Sequence, residues 1–367
     1  MTLARFVLTH SLYMEIQLTK TKTITLGGGP KKRKPADIVG VDLFSGEARG
    51  CPAVRLIEKK GELRLAAVGF VPPPADPLPD SWEAAAKACT WSLPAPFQAP
   101  AAALAVTSDR MDFSQTTSDA FGFDISAGVP VSHDGRRTVM KPMSATDGFV
   151  MRATLPEYQV LWVSRLLPEG HRPTASSIQV RPAALVASIL RQRTFMEENG
   201  TALALVIAEH EIHVAGYKDG DIVLWRTCHG IAGWQGIRTA LKRGLGLEDE
   251  MLAGVLDDTL IDPRPVLDPL VAPLMDELAV SRDYLVGKLC AEPKRILALG
   301  LPAGERYWSA IAEDRLHLKL VAANPFDGLI RTDKLFLGEG AALDGTPANA
   351  FLGAVGAALA MLKEEET

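Results

Sequence analysis

Apolar and polar positions follow one scheme twice along the chain, first in IVGVDLFSGEARGCPAVRLIEKKGELRLAAVGF (38–70) and again in ALALVIAEHEIHVAGYKDGDIVLWRTC (202–228). Each copy holds an apolar strand, a polar turn, a second strand, a charged turn with glycine (Lys59-Lys60-Gly61-Glu62; Lys218-Asp219-Gly220-Asp221) and a third strand. Short apolar runs punctuated by turn residues read as strands. Two such meanders, each leading into mixed helix and strand, predict a duplicated α/β lobe rather than one continuous sheet.

Between the copies, VPPPADPLPD (71–80) is a stiff polyproline-like connector, and Asp80 or Ser81 caps a helix expected from Trp82 to Trp91. AALAVTSD (102–109) reads as a buried strand, and the polar Gly/Ser/Asp-rich residues 110–145 predict no helix and mark an inserted module or long excursion. FVMRATLP (149–156) is a strand, followed by a helix with Pro156 in its first turn, a strand at 176–181 and a helix from Pro182 to Leu190. After the second copy, the glycine loop HGIAGWQG precedes a helix ending at Gly244-x-Gly246. Leu270, Leu274, Leu278, Leu285 and Leu289 keep helical spacing, with Pro269 and Pro273 expected to kink or fray the first turns. RILALG (295–300) is a short strand, a helix lies around Tyr307 to Ile311, LHLKLV is a strand, and Thr346-Pro347 launch a closing helix of Ala, Gly and Leu suited to close packing. At the start, EIQLTKTKTITL (15–26) alternates weakly, as an edge strand or a loose arm, before Gly27-Gly28-Gly29-Pro30 and the basic run Lys31-Lys32-Arg33-Lys34. The resulting layout is an arm and basic linker over 1–35, a first lobe over 36–192 with an insertion at about 110–148, a second lobe over 193–345, and a helix over 346–367 packing back on the first lobe.

Composition agrees with two globular domains: 367 residues, 47% hydrophobic and 23% charged. A net charge of −5 argues against a nucleic-acid partner, and no aromatic-basic interleaving accompanies the basic run, which reads as a solvated linker cluster. Cys51, Cys89, Cys228 and Cys290 are far apart and form no CxxC, as expected of reduced, buried thiols in a cytosolic protein. The longest apolar run, Phe351 to Leu362, falls short of the ~20 residues a bilayer requires, and the first residues carry no small-residue cleavage site. His210 and His213 fall on opposite faces of a strand, so they form no zinc pair.

In this order the features resemble the actin-like ATPase superfamily, and within it the PilM proteins of type IV pilus assembly, over roughly residues 36–365. VGVDLFSG (39–46) stands where that family opens with a G-[IV]-D-x-G-[ST] strand and turn. PEYQVLWVSRLLPEGHRPTASSIQVRPAALVASIL (156–190) is similar to its helix, strand ending in Asp, and Ala-rich helix. RTCHGIAGWQGIRTALKRGLGL (226–247), Asn324-Pro325-Phe326 and the AFLGAVGAALAML ending resemble its arginine-glycine loop and helix, its Asn-Pro-Phe tag and its closing helix. The resemblance implies a two-lobed actin-like, duplicated ribonuclease-H-like α/β fold with a module inserted in the first lobe. It also implies a cytoplasmic scaffold at the inner face of the cytoplasmic membrane, in a type IV pilus or type II secretion-like platform. There it would hold the N-terminal tail of a PilN-like single-span protein in a groove between strands near 54–70 and the 110–155 segment. Self-association, common among actin-like relatives, is implied as well.

The same resemblance places a Mg-ATP site, and there the sequence departs from the family. Asp42 keeps the acid that would hold hydrated magnesium, but Phe44 replaces the following glycine, its ring expected in phosphate space or forcing the turn elsewhere, with Ser45-Gly46 offering only a shifted loop. The second turn has Glu209-His210 in place of aspartate-glycine, and the adenine-side Gly-Gly reads Gly300-Leu301-Pro302. No Lys is evident in EDEMLAGVLD (248–257). The expectation is a degenerate ATPase without a cofactor, a metal or an assigned catalytic residue. The alternative is an ATPase or kinase in which Asp42, Ser45, Gly46, Glu209, Gly230, Gly233 and Gly300 form a rearranged Mg-ATP site.

Overall fold

The computed structural model describes residues 37–363 except 48, 60, 88, 90, 118–130, 144–147, 169–171, 191, 210, 232, 249–250, 252–260 and 302–304. The strand or arm at 15–26, the basic run, His210 and most of 248–257 thus lie outside the described residues.

Both meanders form as expected. In the first, β1 (Asp37–Leu43), β2 (Cys51–Lys59) and β3 (Glu62–Val71) are antiparallel, and β4 (Ala101–Val106) and β9 (Thr174–Val180) add in parallel beyond β1. In the second, β10 (Ala202–Ile207), β11 (Ile212–Lys218) and β12 (Asp221–Thr227) are antiparallel, and β13 (Arg295–Leu299) and β14 (Lys319–Ala322) add in parallel beyond β10. The strand orders β3-β2-β1-β4-β9 and β12-β11-β10-β13-β14 are the same topology, so the duplication seen in the sequence is a duplication of sheets.

One strand lies outside that symmetry. β15 (Ile330–Leu337), which follows the second sheet in sequence, returns to the first and pairs in parallel with β3, its register breaking between Arg331 and Phe336. The inserted module is a separate antiparallel sheet of β5 (Asp112–Thr117), β6 (Val131–His133), β7 (Arg136–Pro142) and β8 (Phe149–Pro156), in the order β5-β8-β7-β6. Asp134-Gly135 turns β6 into β7 with positive φ at both residues (49° and 68°), the geometry whose twist matches a two-residue hairpin.

The helices are α1 (Trp82–Ala86), α2 (Glu157–Leu166), α3 (Arg181–Ala187), α4 (Arg193–Glu197), α5 (Trp234–Leu245), α6 (Arg264–Leu289), α7 (Glu305–Leu316) and α8 (Leu352–Lys363). α1 stops far short of Trp91. Lys87 turns extended (ψ 138°), and the Trp91 indole donates to Pro72 O at 2.9 Å, tying this stretch to the proline connector instead. α6 runs 26 residues through both Pro269 and Pro273. Burial of Leu267, Val271, Leu274, Met275 and Leu278 outweighs the hydrogen bonds the prolines remove. Cys51, Cys89 and Cys228 are buried as expected, whereas Cys290, at the left-handed end of α6, is exposed.

α8 positions the candidate site. Along β1, Val39, Val41 and Leu43 face the larger core, which leaves Ile38, Gly40 and Asp42 on the opposite face, toward α8. A Cβ on Gly40 would collide with the Ala354 carbonyl, one on Gly353 with the Asp42 carboxylate and one on Gly356 with the Ala184 carbonyl of α3. Three glycines therefore let α8 lie directly on β1 and α3.

Candidate functional site

Asp42 ends this close-packed face. Its side chain is fully buried, and its Oδ2 accepts a 2.8 Å hydrogen bond and ion pair from Nε of Arg181, the first residue of α3. Its Oδ1 has no hydrogen-bond partner among the described residues. Burial pushes the carboxyl above its ordinary range, with the charge and hydrogen bond of Arg181 pulling the other way.

The turn that follows is led by Phe44. Phe44 does adopt a left-handed backbone (φ 58°), the conformation glycine would favour. Its ring packs on the first-lobe core with its centroid 6.3 Å from that of Trp162 in α2. Ser45 is half-buried and Gly46 exposed, with φ 82° and open space where a Cβ would stand.

In the second lobe, Glu209 follows β10 and forms an ion pair with Arg238 of α5. The start of α5 has no side-chain cap. Trp234 N donates to Ala208 O at 3.0 Å and Gln235 N to Glu209 O at 2.9 Å, so the N–H groups that would greet an anion are bound to the turn itself. A shallow depression of about 370 Å³ opens here, lined by Glu209, Gly233, Gln235, Thr239, Arg243 and Leu270 among others. Glu209 and Gly233 line it, while Asp42, Ser45, Gly46, Gly230 and Gly300 are not among the described residues that do. Gly230 is exposed, with φ 80°.

On the remaining side, Gly300 has φ 77°, and a Cβ there would come within 2.8 Å of Ile207 O, so this glycine lets β13 end against β10. Leu301 is fully buried, and its N–H donates at 3.3 Å to Oδ1 of Asn349, in the 3-10 turn Thr346–Phe351 that leads into α8. Asn349 Nδ2 donates to Ala323 O at 3.0 Å. Asn324-Pro325-Phe326 has a packing role: Asn324 Oδ1 accepts from Phe326 N at 2.9 Å, and the Phe326 ring lies 5.8 Å from that of Phe351.

Arg181, Arg238 and Asn349, which escaped the sequence reading, bind the positions it singled out. Arg181 carried no signal of its own, since the sequence offered it only as the last residue of an expected strand, whereas it opens α3. Arg238 and Asn349 carried none, because an arginine on a helix face and an asparagine near a helix start are ordinary at the surface.

The inserted module docks on the second lobe. Trp225 of β12 donates its indole N–H to Phe113 O at 3.1 Å and its backbone N–H to Gln115 Oε1 at 2.9 Å, with Phe113 edge-on at 4.6 Å. Behind Trp225, His213 stacks at 4.8 Å, its Nδ1 3.2 Å from Thr227 Oγ1 and its Nε2 3.5 Å from the Glu211 carboxylate. Burial, with the nearby His229, lowers the His213 pKa to about 4. The unfolded chain then binds more protons than the folded one between the ordinary His pKa of about 6.5 and 4. Stability is full above that window and falls as pH drops through it, by up to about 3 kcal/mol from this residue. Urea titrations from pH 7 to 4 should show this slope, and His213→Asn should flatten it.

No family model and no curated protein matches the sequence. Among solved structures, a PilM-PilN type IV pilus biogenesis complex matches with a TM-score of 0.55 at 15% identity, covering 89% of this chain and 98% of that one. A Bacteroides thetaiotaomicron protein of actin-like ATPase fold and unknown function matches at 0.40 and 8% identity, covering 89% and 99%. The cytoplasmic domain of EpsL, an inner-membrane component of the Vibrio cholerae type II secretion system, matches at 0.32 and 10% identity, covering 87% and 94%. The chain has a two-lobed actin-like fold, similar over almost its whole length to that of the chain matched in the PilM-PilN complex.

Proposed function

We propose that the chain is a cytoplasmic scaffold of a type IV pilus or type II secretion-like inner-membrane platform. It holds the cytoplasmic N-terminal tail of a PilN-like single-span protein and works without hydrolysing ATP. The observation that carries this reading is an intact two-lobed fold whose acidic cleft positions are each neutralised by the chain's own cations, Asp42 by Arg181 and Glu209 by Arg238. Magnesium in a nucleotide site keeps several waters and takes one or two carboxylates. Asp42 as placed leaves no room for that, being sealed under Gly353 and bonded to Arg181. The α5 N–H groups and the Leu301 N–H, which could meet phosphate or base, already have acceptors. Asp42, Glu209 and Gly300 therefore do not fit Mg-ATP.

The tail would lie along the seam between module and first lobe. Arg110 crosses that seam, donating to Asp80 O at 3.0 Å and Tyr158 Oη at 2.8 Å, and Arg136 donates to Arg110 O at 2.7 Å. Beside it, Trp82 stands 53% exposed, edge-on to Tyr158 at 5.9 Å, as an apolar anchor for an extended peptide. The full chain, titrated with the cytoplasmic tail of a PilN-like protein from the same genome, is expected to bind it. Trp82→Ala should weaken that binding about tenfold while leaving the melting temperature nearly unchanged. A folded chain that associates with no platform protein would remove the reading. Low-micromolar Mg-ATP binding, with hydrolysis lost in Asp42→Ala, would replace it with the ATPase alternative.

A further inference from the structure

We propose that residues 15–26 of the chain, which lie outside the described residues, dock on the open edge of the first sheet and add to it as a strand antiparallel to β15. The inference stands apart from the scaffold reading above and from the cleft.

β15 is the outermost strand of its six-stranded sheet, and β3 is its one strand partner among the described residues. Ile330, Phe336 and Leu337 stand exposed on it, at 43%, 42% and 49%. An open edge with uncovered apolar side chains is a template for pairing with another segment. The register break between Arg331 and Phe336, with Asp333 and Lys334 exposed inside it, guards the middle of that edge and leaves both ends bare.

The ladder fixes where the N-terminal segment joins the sheet. Asp37 faces Ile57, Ile57 faces Arg64, and Arg64 faces Ile330, so β1 begins level with the first residue of β15, three strands away. At about 4.8 Å per strand, the position beyond β15 is roughly 19 Å from Asp37. Residues 27–36, between the segment and β1, span up to about 33 Å when extended. β1 and β15 run the same way, since β1/β2 and β2/β3 are antiparallel and β3/β15 is parallel. A segment joined to the start of β1 by that linker therefore meets β15 antiparallel, its C-terminal end toward Ile330. Its sequence suits the place. EIQLTKTKTITL alternates Ile16, Leu18, Ile24 and Leu26 with Thr19, Thr21, Thr23 and Thr25, without a proline, so each face of the edge gains apolar or β-branched neighbours.

Hydrogen exchange of the full chain, read by mass spectrometry, tests it. A Lys22→Pro/Thr25→Pro chain carries a proline at one position of each parity, so one of them removes a pairing N–H in whichever register the segment lies. The amides of β15 should exchange at least about tenfold faster in this variant than in the parent. Those of β2 and β10, away from the edge, should stay unchanged and report an intact fold. Should the proline chain not fold, Ile24→Asp/Leu26→Asp supplies the same comparison. Equal exchange of β15 in parent and variant overturns the inference. Docking within one chain also requires the parent's protection to be independent of concentration. Protection lost on dilution would overturn it and give the edge to a second copy. None of these outcomes bears on tail binding, which tests the scaffold reading separately.

Discussion

A Gly356→Ala chain is expected to unfold at a much lower urea concentration than the parent, or to fail to fold. Gly356 lies where α8 crosses α3, and a Cβ there would overlap the Ala184 carbonyl and press within 3.1 Å of Ser188 N. Backbone cannot rotate aside as a side chain can, so α8 would have to lift from α3 and from β1 together. That movement would uncover Ile38, Val54, Leu56, Ala184, Phe351, Val355 and Leu359, which form one buried cluster. Overpacking a well-filled core typically costs about 1–3 kcal/mol, and a forced shift of a buried helix belongs at or beyond the upper end. Against that stands a gain of only about 0.5–1 kcal/mol from alanine's better helix propensity. Gly287→Ala isolates this small term. Gly287 lies in the exposed last turns of α6, with nothing within 4 Å of its would-be Cβ, so the same replacement there should stabilise. Urea midpoints moving in opposite directions for the two variants would establish the crossing as the cause. A Gly356→Ala chain as stable as the parent would show that α8 is not seated as described.

The fold was legible where local chemistry and global fold agree. Both meanders announce themselves through apolar runs broken by charged glycine turns, and Gly61, Gly220 and Gly246 adopt the positive φ that such positions require. β15 gave no such signal. Six of its eight residues are exposed, including Ile330, Phe336 and Leu337, so no alternation marks a buried face, and its partner β3 lies more than 250 residues earlier. Tertiary burial likewise carried α6 through two prolines that local rules set against it.

Of the candidate site, sequence showed the acids but not what holds them. Asp42 and Glu209 are recognisable by position, whereas their neutralisation by Arg181 and Arg238 depends on side-chain reach across elements. The direction of the Phe44 ring was hidden for the same reason. A residue in a turn shows its backbone demand, and φ 58° meets it, but not which way its ring will fold, and here the core beside Trp162 took it. Around Asp42 and Leu301 the close contacts come from Arg181, Gly353 and Asn349.

Replacing Asn349 should weaken the coupling between the lobes more than its size suggests. The side chain is 3% exposed and joins two loops of the second sheet, through Leu301 N and Ala323 O, to the turn that starts α8. Asn349→Ala leaves a buried N–H and a buried C=O without partners, at about 1–3 kcal/mol each, so a loss of roughly 2–6 kcal/mol is expected. Asn349→Asp keeps the acceptor, loses the donor and adds a buried charge, and should be no better. Fluorescence can apportion the loss in versions of the chain that keep as sole tryptophan either Trp162, in the first lobe, or Trp308, in the second, both deeply buried. In the parent the two probes should melt together; in Asn349→Ala the transitions should separate. Trp225→Ala removes the indole contacts of a second strap, between module and second lobe, and shares no partner with Asn349. Distant sites without common partners normally add within about 0.5 kcal/mol. A double variant that loses more than the sum would mean that the straps hold one cooperative body, as a static scaffold requires. Simple additivity with separated transitions even in the parent would mean that the lobes move independently, and a cleft able to open and close would then have to be considered again.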